Sequence, residues 1–316
     1  MEALWLRFWV CYEDARLSLT MMKAETEHSG EERARESVNV YECEQMCVYA
    51  RKGERVNRQE RLAALLDLVM KRKTLRVDEI VQLLGVSPAT ARRDLDFLAN
   101  QQLVSRTRGG VMANPTSGEI PMRFRMVRFS DAKTRVARKA VSLINPGDVV
   151  ALNGGTTTTE ISAEIGAVMA SDFAFANDVI TVVTNAVNIA NDLAIRPQVR
   201  VVVSGGVVRA RSYELVGPLA ALILPHISVD KLFLGVTGID VELGIYTEDE
   251  DEAAVNQALV HMARQTYVVA DSSKVRTTAF AKIAGWDSIS ALITDANIAP
   301  ADIAAIERRG VSVILA

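Results

Sequence analysis

Residues 76–98 have the pattern of two short helices joined by a tight turn. The first half carries apolar residues at i, i+3, i+4 and i+7, which form one stripe on a helix: Val77, Ile80, Val81 and Leu84. Gly85 permits the left-handed backbone that ends a helix, and Ser87 followed by Pro88 suits the start of the next one. Two amphipathic helices at this spacing are typical of a helix-turn-helix and also of an ordinary helical hairpin.

The second of these helices is the candidate for contact with DNA. Ala91, Leu95 and Leu98 would face a core. Small, hydroxylated and basic side chains on the other face can enter a major groove, contact base edges and bind phosphates. The predicted DNA-binding residues of this helix are Ser87, Ala89, Thr90, Arg92 and Arg93.

The flanking sequence favours a winged helix-turn-helix. Residues 58–71 repeat the helical stripe, and residues 103–111 have the pattern of a β-hairpin with Gly109 and Gly110 at its turn. Arg106 and Arg108 in this wing are predicted to bind the DNA backbone. Residues 51–113 hold 13 lysines and arginines against 7 aspartates and glutamates, whereas the whole chain has a net charge of −3. A basic part of an acidic protein indicates nucleic-acid binding.

The composition predicts a globular protein of two domains, because 316 residues exceed one typical domain and 49% of them are apolar. No apolar run approaches the roughly 20 residues of a membrane helix, and the first residues lack a signal-peptide cleavage site, so a cytoplasmic location without membrane contact is predicted. The three cysteines lie within the first 50 residues without the spacing of a zinc site, so no metal site is predicted.

The chain divides into four predicted segments. Residues 1–56 lack a sustained pattern and are interpreted as a disordered tail, an accessory arm or the result of a start codon placed too far upstream. Residues 57–113 form the predicted DNA-binding domain, residues 114–120 a linker, and residues 121–316 a larger effector-binding and oligomerisation domain.

Short β-branched runs alternate with helical patterns in the larger domain. The predicted strands are residues 149–152, 180–184, 199–204, 231–236, 267–270, 289–294 and 311–315. The predicted helices include residues 131–143, 187–193, 253–264 and 300–307. This alternation predicts an α/β domain with a Rossmann-like, mostly parallel sheet, in which ligands bind beyond the carboxyl ends of the strands.

Small and polar residues follow several of these strands. Residues 153–159, Asn-Gly-Gly-Thr-Thr-Thr-Thr, precede a helix, and such a loop either binds an anion through backbone N–H groups or is only a turn with a helix cap. The residues predicted to bind a phosphate group are Gly155, Thr156, Thr157 and Lys274, with Arg125 and Lys133 as weaker candidates. The residues predicted to contact sugar hydroxyls are Asn185, Gly205 and Asp240. The acidic run 248–252 is predicted to complement the dipole of the following helix.

The order and spacing of several motifs add a further indication. In the first domain these are Gly85, Val86, Ser87, residues 90–95, Arg106, Gly109 and Gly110. In the second domain they are residues 155–157, 184–185, 204–206, 230–233, 238–239 and 271–274. With these motifs, nearly all of residues 57–316 resembles the DeoR family of bacterial transcription regulators.

The resemblance implies a non-catalytic repressor of a sugar-catabolic operon without a cofactor. It also implies a sensor domain similar to sugar-phosphate isomerases, a phosphorylated sugar as effector, operator DNA as partner, and a dimer or tetramer. Three residues depart from the family pattern. Asn153 stands where the family often has Asp, Arg108 where the wing usually has His, and Gln102 where a glycine usually follows the recognition helix.

Two other interpretations remain open. A sugar-phosphate isomerase with an appended nucleic-acid-binding domain would need a carboxylate base, for which Asp240 is the candidate. A purely structural interaction module would leave the basic segment and the polar strand ends without a role.

Overall fold

The computed structural model describes residues 57–114, 120–127, 129–171 and 179–316. The predicted N-terminal extension, residues 1–56, and most of the predicted linker lie outside the described residues. Asn57–Val81 and Val86–Ala316 form one compact unit, and Gln82–Gly85 fall outside it. The four predicted segment boundaries therefore stay predictions.

The first part of the described chain is a winged helix-turn-helix, as predicted. Its helices are α1 (Arg58–Arg72), α2 (Val77–Leu84) and α3 (Pro88–Asn100). Its strands are β1 (Thr74–Arg76), β2 (Val104–Thr107) and β3 (Gly110–Ala113), with β3 in the middle. The sequence did not predict β1, because three residues are too few to show a strand period.

Local chemistry fixes the ends of these elements. The Asn57 side chain accepts a hydrogen bond from the Glu60 backbone while the Glu60 carboxylate accepts one from the Asn57 backbone, and this capping box starts α1. The Ser87 hydroxyl accepts from the Thr90 N–H at 3.2 Å and caps α3. A Cβ atom on Gly110 would lie 2.2 Å from the carbonyl oxygen of Leu75, so only glycine lets β3 approach β1 this closely.

The second part is an α/β domain. Its helices are α4 (Met122–Val127), α5 (Ser130–Val141), α6 (Thr156–Ser171), α7 (Val187–Ala194), α8 (Pro218–Ala221), α9 (Glu250–Met262) and α10 (Pro300–Glu307). Its strands are β4 (Val149–Leu152), β5 (Ile180–Thr184), β6 (Val199–Val203), β7 (Val207–Arg209), β8 (Glu214–Val216), β9 (Val229–Gly235), β10 (Gly238–Asp240), β11 (Gly244–Thr247), β12 (Ala263–Val269), β13 (Ala281–Ala284), β14 (Ala291–Thr294) and β15 (Ser312–Leu315).

Seven of these strands form one parallel sheet in the order β15-β14-β12-β9-β4-β5-β6. Alternate residues of β9 belong to different cores: Leu232 and Leu234 pack on one face of the sheet and Phe233 on the other. The predicted Rossmann-like sheet with both faces covered is therefore confirmed. The strand order reverses between β4 and β9, and ligands of open α/β sheets bind at such a switch point.

Two smaller sheets were not predicted. The antiparallel hairpin β7–β8 follows β6, and β10, β11 and β13 form a separate antiparallel sheet. Helix α9 begins at Glu250, three residues before the predicted start, because Asp249 caps it by accepting from the Glu252 N–H. The first turn of α9 is acidic, as the predicted dipole interaction requires.

Candidate functional site

The outward face of α3 carries the side chains that the sequence predicts to contact DNA. Ser87, Ala89, Arg92 and Arg93 are exposed, and Thr90 is half-buried. Ala91, Leu95 and Leu98 on the opposite face are buried. The predicted orientation of α3 is thus the one observed, while contact of these residues with DNA stays a prediction.

An ion pair that the sequence analysis missed holds α3 against α1. Asp94 is buried on the inward face of α3, and its two carboxylate oxygens accept from Arg61 Nε at 2.6 Å and Arg61 Nη2 at 3.2 Å. This two-pronged hydrogen bond raises the pKa of the Arg61 guanidinium above its usual range. The sequence signal for this ion pair was the charged residue Asp94 at a helix position that faces the core, because a buried charge needs a partner.

The wing presents both of its predicted arginines to solvent. Arg106 and Arg108 are exposed, and Arg106 Nε lies 3.3 Å from Asp96 Oδ1 on α3. Exposed ion pairs of this kind contribute only about 0–1 kcal/mol, so a DNA phosphate can replace Asp96 as the partner of Arg106 at little cost.

A cleft opens at the switch point of the parallel sheet. It is lined by residues that follow β4, β9 and β12, by the β7–β8 hairpin, and by the helices α4, α5 and α9. The lining residues on which the following description depends are Arg125, Lys133, Gly154, Gly155, Thr156, Thr157, Ser212, Glu214, Gly235, Glu252, Asp271 and Lys274.

The loop after β4 leads into α6 at the floor of this cleft. The Gly154 N–H donates to Asn185 Oδ1 at 3.1 Å, and the Gly155 carbonyl accepts from the hydroxyls of Thr158 and Thr159 at 3.1 and 2.7 Å. These bonds fix the loop so that Gly155 and the first residues of α6 line the cleft. The N–H groups in the first turn of a helix have no partner within the helix and carry positive partial charge.

Three basic residues line the same cleft. Lys133 is buried, and its Nζ donates to the Arg125 carbonyl at 2.7 Å. Lys274 ends the short 3₁₀ turn Ser272–Lys274 that follows β12. The loop after β4 and these cations form a lining that can bind a small anion through backbone donors and positive charge.

The other predicted effector residues do not line the cleft. Asn185 is buried behind the loop, where it accepts from Gly154 and also exchanges backbone and side-chain bonds with Leu215 of β8. Gly205 follows β6 with φ of 74°, and Asp240 lies on β10, where its Oδ1 closes a turn by accepting from two backbone N–H groups. The ligand contacts of all seven predicted residues stay predictions.

Asn153 also lies beneath the cleft. Its Nδ2 donates to the Gly235 carbonyl at 2.9 Å, and its Oδ1 accepts from the Gly235 N–H at 2.7 Å. This buried amide therefore holds the end of β4 against the end of β9 with both a donor and an acceptor, whereas an ionised aspartate could only accept.

Sequence analysis missed an acidic pair in the cleft. Glu214 on β8 and Glu252 on α9 are both buried, and Glu252 accepts from Thr247 Oγ1 at 2.5 Å and from Arg209 Nη1 at 2.8 Å. Burial, and secondly the charge of Glu252, raise the pKa of Glu214 to about 8. Glu252 belongs to the acidic run that was interpreted as a solvated helix start, and Glu214 lies on a strand too short to be predicted.

Among the described residues, no helix is both long and apolar enough to span a bilayer. The winged helix-turn-helix with its basic outer face and the α/β domain with its cleft define a helix-turn-helix regulator that carries a sensor domain. A DeoR-like helix-turn-helix domain matches residues 61–117, and a DeoR C terminal sensor domain matches residues 128–296. The chain belongs to the DeoR family of transcription regulators, which confirms the resemblance found in the sequence.

Relatives of this chain align over most of their own length. A putative aga operon transcriptional repressor of Escherichia coli O157:H7 is 34% identical over 81% of this chain and 93% of its own. The transcriptional repressor GlcR of Bacillus subtilis strain 168 is 32% identical over 81% of this chain and 96% of its own. A glycerol-3-phosphate regulon repressor of Escherichia coli K12 is 27% identical over 75% of this chain and 90% of its own.

Proposed function

We propose that this protein is a non-catalytic cytoplasmic repressor of a sugar-catabolic operon, with an operator affinity that a phosphorylated sugar controls. The observation that carries the proposal is the meeting of the Gly155 loop with Lys133 and Lys274 in one cleft at the switch point of the sheet. Membership of the DeoR family supports the regulatory role, as do relatives named as repressors of the aga operon and of the glycerol-3-phosphate regulon.

On the DNA side, α3 enters the major groove. Arg92 and Arg93 are exposed there, and no ion pair or hydrogen bond of their side chains is observed within the described part of the chain. Ala89 and Thr90 leave room for base edges beside them, and Ser87 lies at the positive end of the helix near the phosphates. Arg106 on β2 and Arg108 in the wing turn hold the DNA backbone.

On the ligand side, the phosphate group binds at the start of α6. Gly155, Thr156 and Thr157 supply backbone N–H groups, and Lys274 supplies positive charge, with Lys133 and Arg125 beside it. Asn185 contributes by holding Gly154 in place rather than by touching the ligand. Gly205 and Asp240 remain candidates for the sugar hydroxyls only if the ligand extends beyond the cleft lining.

Helix α4 is the element that connects the two activities. Arg125 of α4 lines the cleft, whereas Arg123 of the same helix donates to Gln101 Oε1 at 2.8 Å, just after the recognition helix. The Met122 N–H also donates to the Arg211 carbonyl in the β7–β8 hairpin at 3.0 Å. A ligand that moves α4 or the hairpin therefore changes the support of α3 and, through it, operator affinity.

The active form is a homo-oligomer, either a dimer or a tetramer. Four large apolar side chains on β7, on α8 and directly after α8 are each more than half exposed: Val207, Val208, Leu219 and Leu222. A second copy of the chain that covers this surface would remove apolar area from water and place two recognition helices on one operator. Analytical ultracentrifugation tests this point, and a protein that stays monomeric on its operator would contradict it.

The proposal is tested by measuring, with fluorescence anisotropy, how the full-length protein binds DNA from its own upstream region. The measurement is made with and without each member of a panel of sugar phosphates. Arg93→Ala should weaken operator binding about 5- to 150-fold, because a phosphate or base contact of this kind contributes about 1–3 kcal/mol. Arg308→Ala, a change of an exposed arginine outside the DNA-binding domain, is the matched control and should bind normally.

Lys274→Ala separates the two halves of the proposal. It should bind the operator like the unmodified protein but lose the response to the sugar phosphate. Specific DNA binding that no sugar phosphate alters would refute the effector assignment alone. Chemical conversion of any member of the panel would refute the non-catalytic assignment and favour the isomerase, although Asp240 lies outside the cleft lining.

A further inference from the structure

The buried carboxyl group of Glu214 lies directly against the predicted anion loop. A Cβ atom on Gly154 would be 2.0 Å from Glu214 Cγ and 2.7 Å from its Oε1, so the carboxyl group occupies the space beside the loop backbone. Glu214 is 1% exposed, and within the described residues its Oε1 has no hydrogen-bond partner. A buried polar atom that faces a cleft without a partner is costly unless a ligand supplies one.

The backbone around Glu214 keeps this side chain in place. The Leu215 N–H donates to the Asn185 carbonyl at 2.6 Å, and the Val187 N–H donates to the Tyr213 carbonyl at 2.9 Å. Since the residues on both sides of Glu214 are bonded to the segment after β5, the backbone that carries the carboxyl group is held at the cleft.

We propose that Glu214 binds the ligand as a neutral carboxylic acid that donates a hydrogen bond to an oxygen of the phosphate group, so that binding takes up a proton at alkaline pH, where the free carboxyl group is ionised. This inference rests on the proposed function, because it requires an anion at the Gly155 loop. An ionised Glu214 has no hydrogen to donate and would repel a phosphate dianion, whereas the neutral acid supplies a donor in a water-poor site.

The groups around Glu214 favour the neutral form before any ligand arrives. Glu252 on α9 repels the ionised carboxylate of Glu214. Glu252 is itself paired with Arg209, which also lies 3.5 Å from Asp249. Arg209 on β7, Arg125 on α4 and the Ser212 hydroxyl act in the opposite direction, but burial outweighs them. The other charged groups of the cleft lining are Lys133, Asp271 and Lys274. A bound dianion would favour the neutral form further.

Sulfate is the suitable probe, because it has the shape and charge of a phosphate dianion and does not titrate near neutral pH. Its dissociation constant for the full-length protein is measured by calorimetry from pH 6.5 to 9.5. If only neutral Glu214 binds, the affinity falls about tenfold between pH 7 and pH 9. Calorimetry at pH 8.5 in buffers of different ionisation enthalpy should show net proton uptake, which a purely structural glutamate would not produce.

Glu214→Gln is the decisive variant, since the amide keeps the shape and a donor but does not titrate. It should bind sulfate with the affinity of the unmodified protein at pH 7 and should not show the tenfold loss between pH 7 and pH 9. Glu252→Gln should move the loss of affinity to lower pH, because it removes the charge that raises the pKa of Glu214.

The outcomes separate this inference from the proposed function. Sulfate binding without pH dependence in the unmodified protein, or an unchanged loss in Glu214→Gln, would overturn the role of Glu214 and leave the anion site intact. No binding of sulfate or of any sugar phosphate at any pH would overturn both.

Discussion

The ion pair between Arg61 and Asp94 should stabilise α3 against α1 in the DNA-binding domain, so removal of one partner should make α3 open more easily. Asp94→Ala removes two charge-assisted hydrogen bonds, of 2.6 and 3.2 Å, and leaves the guanidinium of Arg61 without its carboxylate. Loss of one partner of a fully buried pair costs about 3–5 kcal/mol. Because the Arg61 side chain is 18% exposed and can reach water, we expect a smaller loss of about 2–3 kcal/mol in the free energy of opening α3.

Hydrogen exchange of the full-length protein measures this loss locally. The amides of α3 exchange when the helix opens, so 2–3 kcal/mol corresponds to roughly 30- to 150-fold faster exchange. Asp96→Ala is the matched control on the same helix, because Asp96 pairs with Arg106 in an exposed position and its removal should change the opening free energy by no more than about 0.5 kcal/mol.

A double-mutant cycle tests the physical cause. If the ion pair itself holds α3, the double variant Arg61→Ala, Asp94→Ala should lose clearly less opening free energy than the sum of the losses in the two single variants. The reasoning would be refuted by equal exchange rates in Asp94→Ala and Asp96→Ala, or by strictly additive losses in the cycle.

Two further predictions concern the end of α3 and the wing. Gln102 has a φ of 57°, a left-handed conformation that suits glycine. Gln102→Gly should therefore raise the free energy of unfolding by about 0.5–1 kcal/mol. An equal gain in Gln102→Ala would contradict this cause. Arg108→Ala should weaken binding to operator and to random DNA alike. It should also reduce the slope of the logarithm of the DNA-binding constant against log salt by about 1, as measured by anisotropy from roughly 50 to 200 mM salt. A change in base preference without a change in slope would contradict a backbone contact.

The sequence predicted best those parts that are buried and continuous. Strands β4 and β5 have the predicted bounds, because a strand covered on both faces is a run of β-branched residues between turn residues. The start of α3 was predictable from Ser87 and Pro88, since capping depends on residues within one turn. The left-handed Gln102 also occupies the backbone conformation that the family glycine would supply.

The candidate site was only partly predictable. The Gly155 loop and Lys274 follow buried strands, so their meeting at one edge of the sheet follows from the strand alternation. Glu214 and Arg209 lie on a hairpin of three-residue strands, where no periodicity indicates a fold. Glu252 stands in an acidic run that looks solvated, and only the packing of α9 shows that one member of the run turns inward.

The reversal of strand order between β4 and β9 also affects when the cleft can form during synthesis. Strand β9 lies beside β4 in the sheet but is made much later in the chain. Val150 of β4 pairs with Lys231 of β9, and the cleft is completed only by Lys274 after β12. At 5–20 residues per second, a ribosome needs on the order of ten seconds after making the Gly155 loop to reach Lys274. Helix α3 is synthesised earlier still. In every new chain it therefore leaves the ribosome before the cleft is complete.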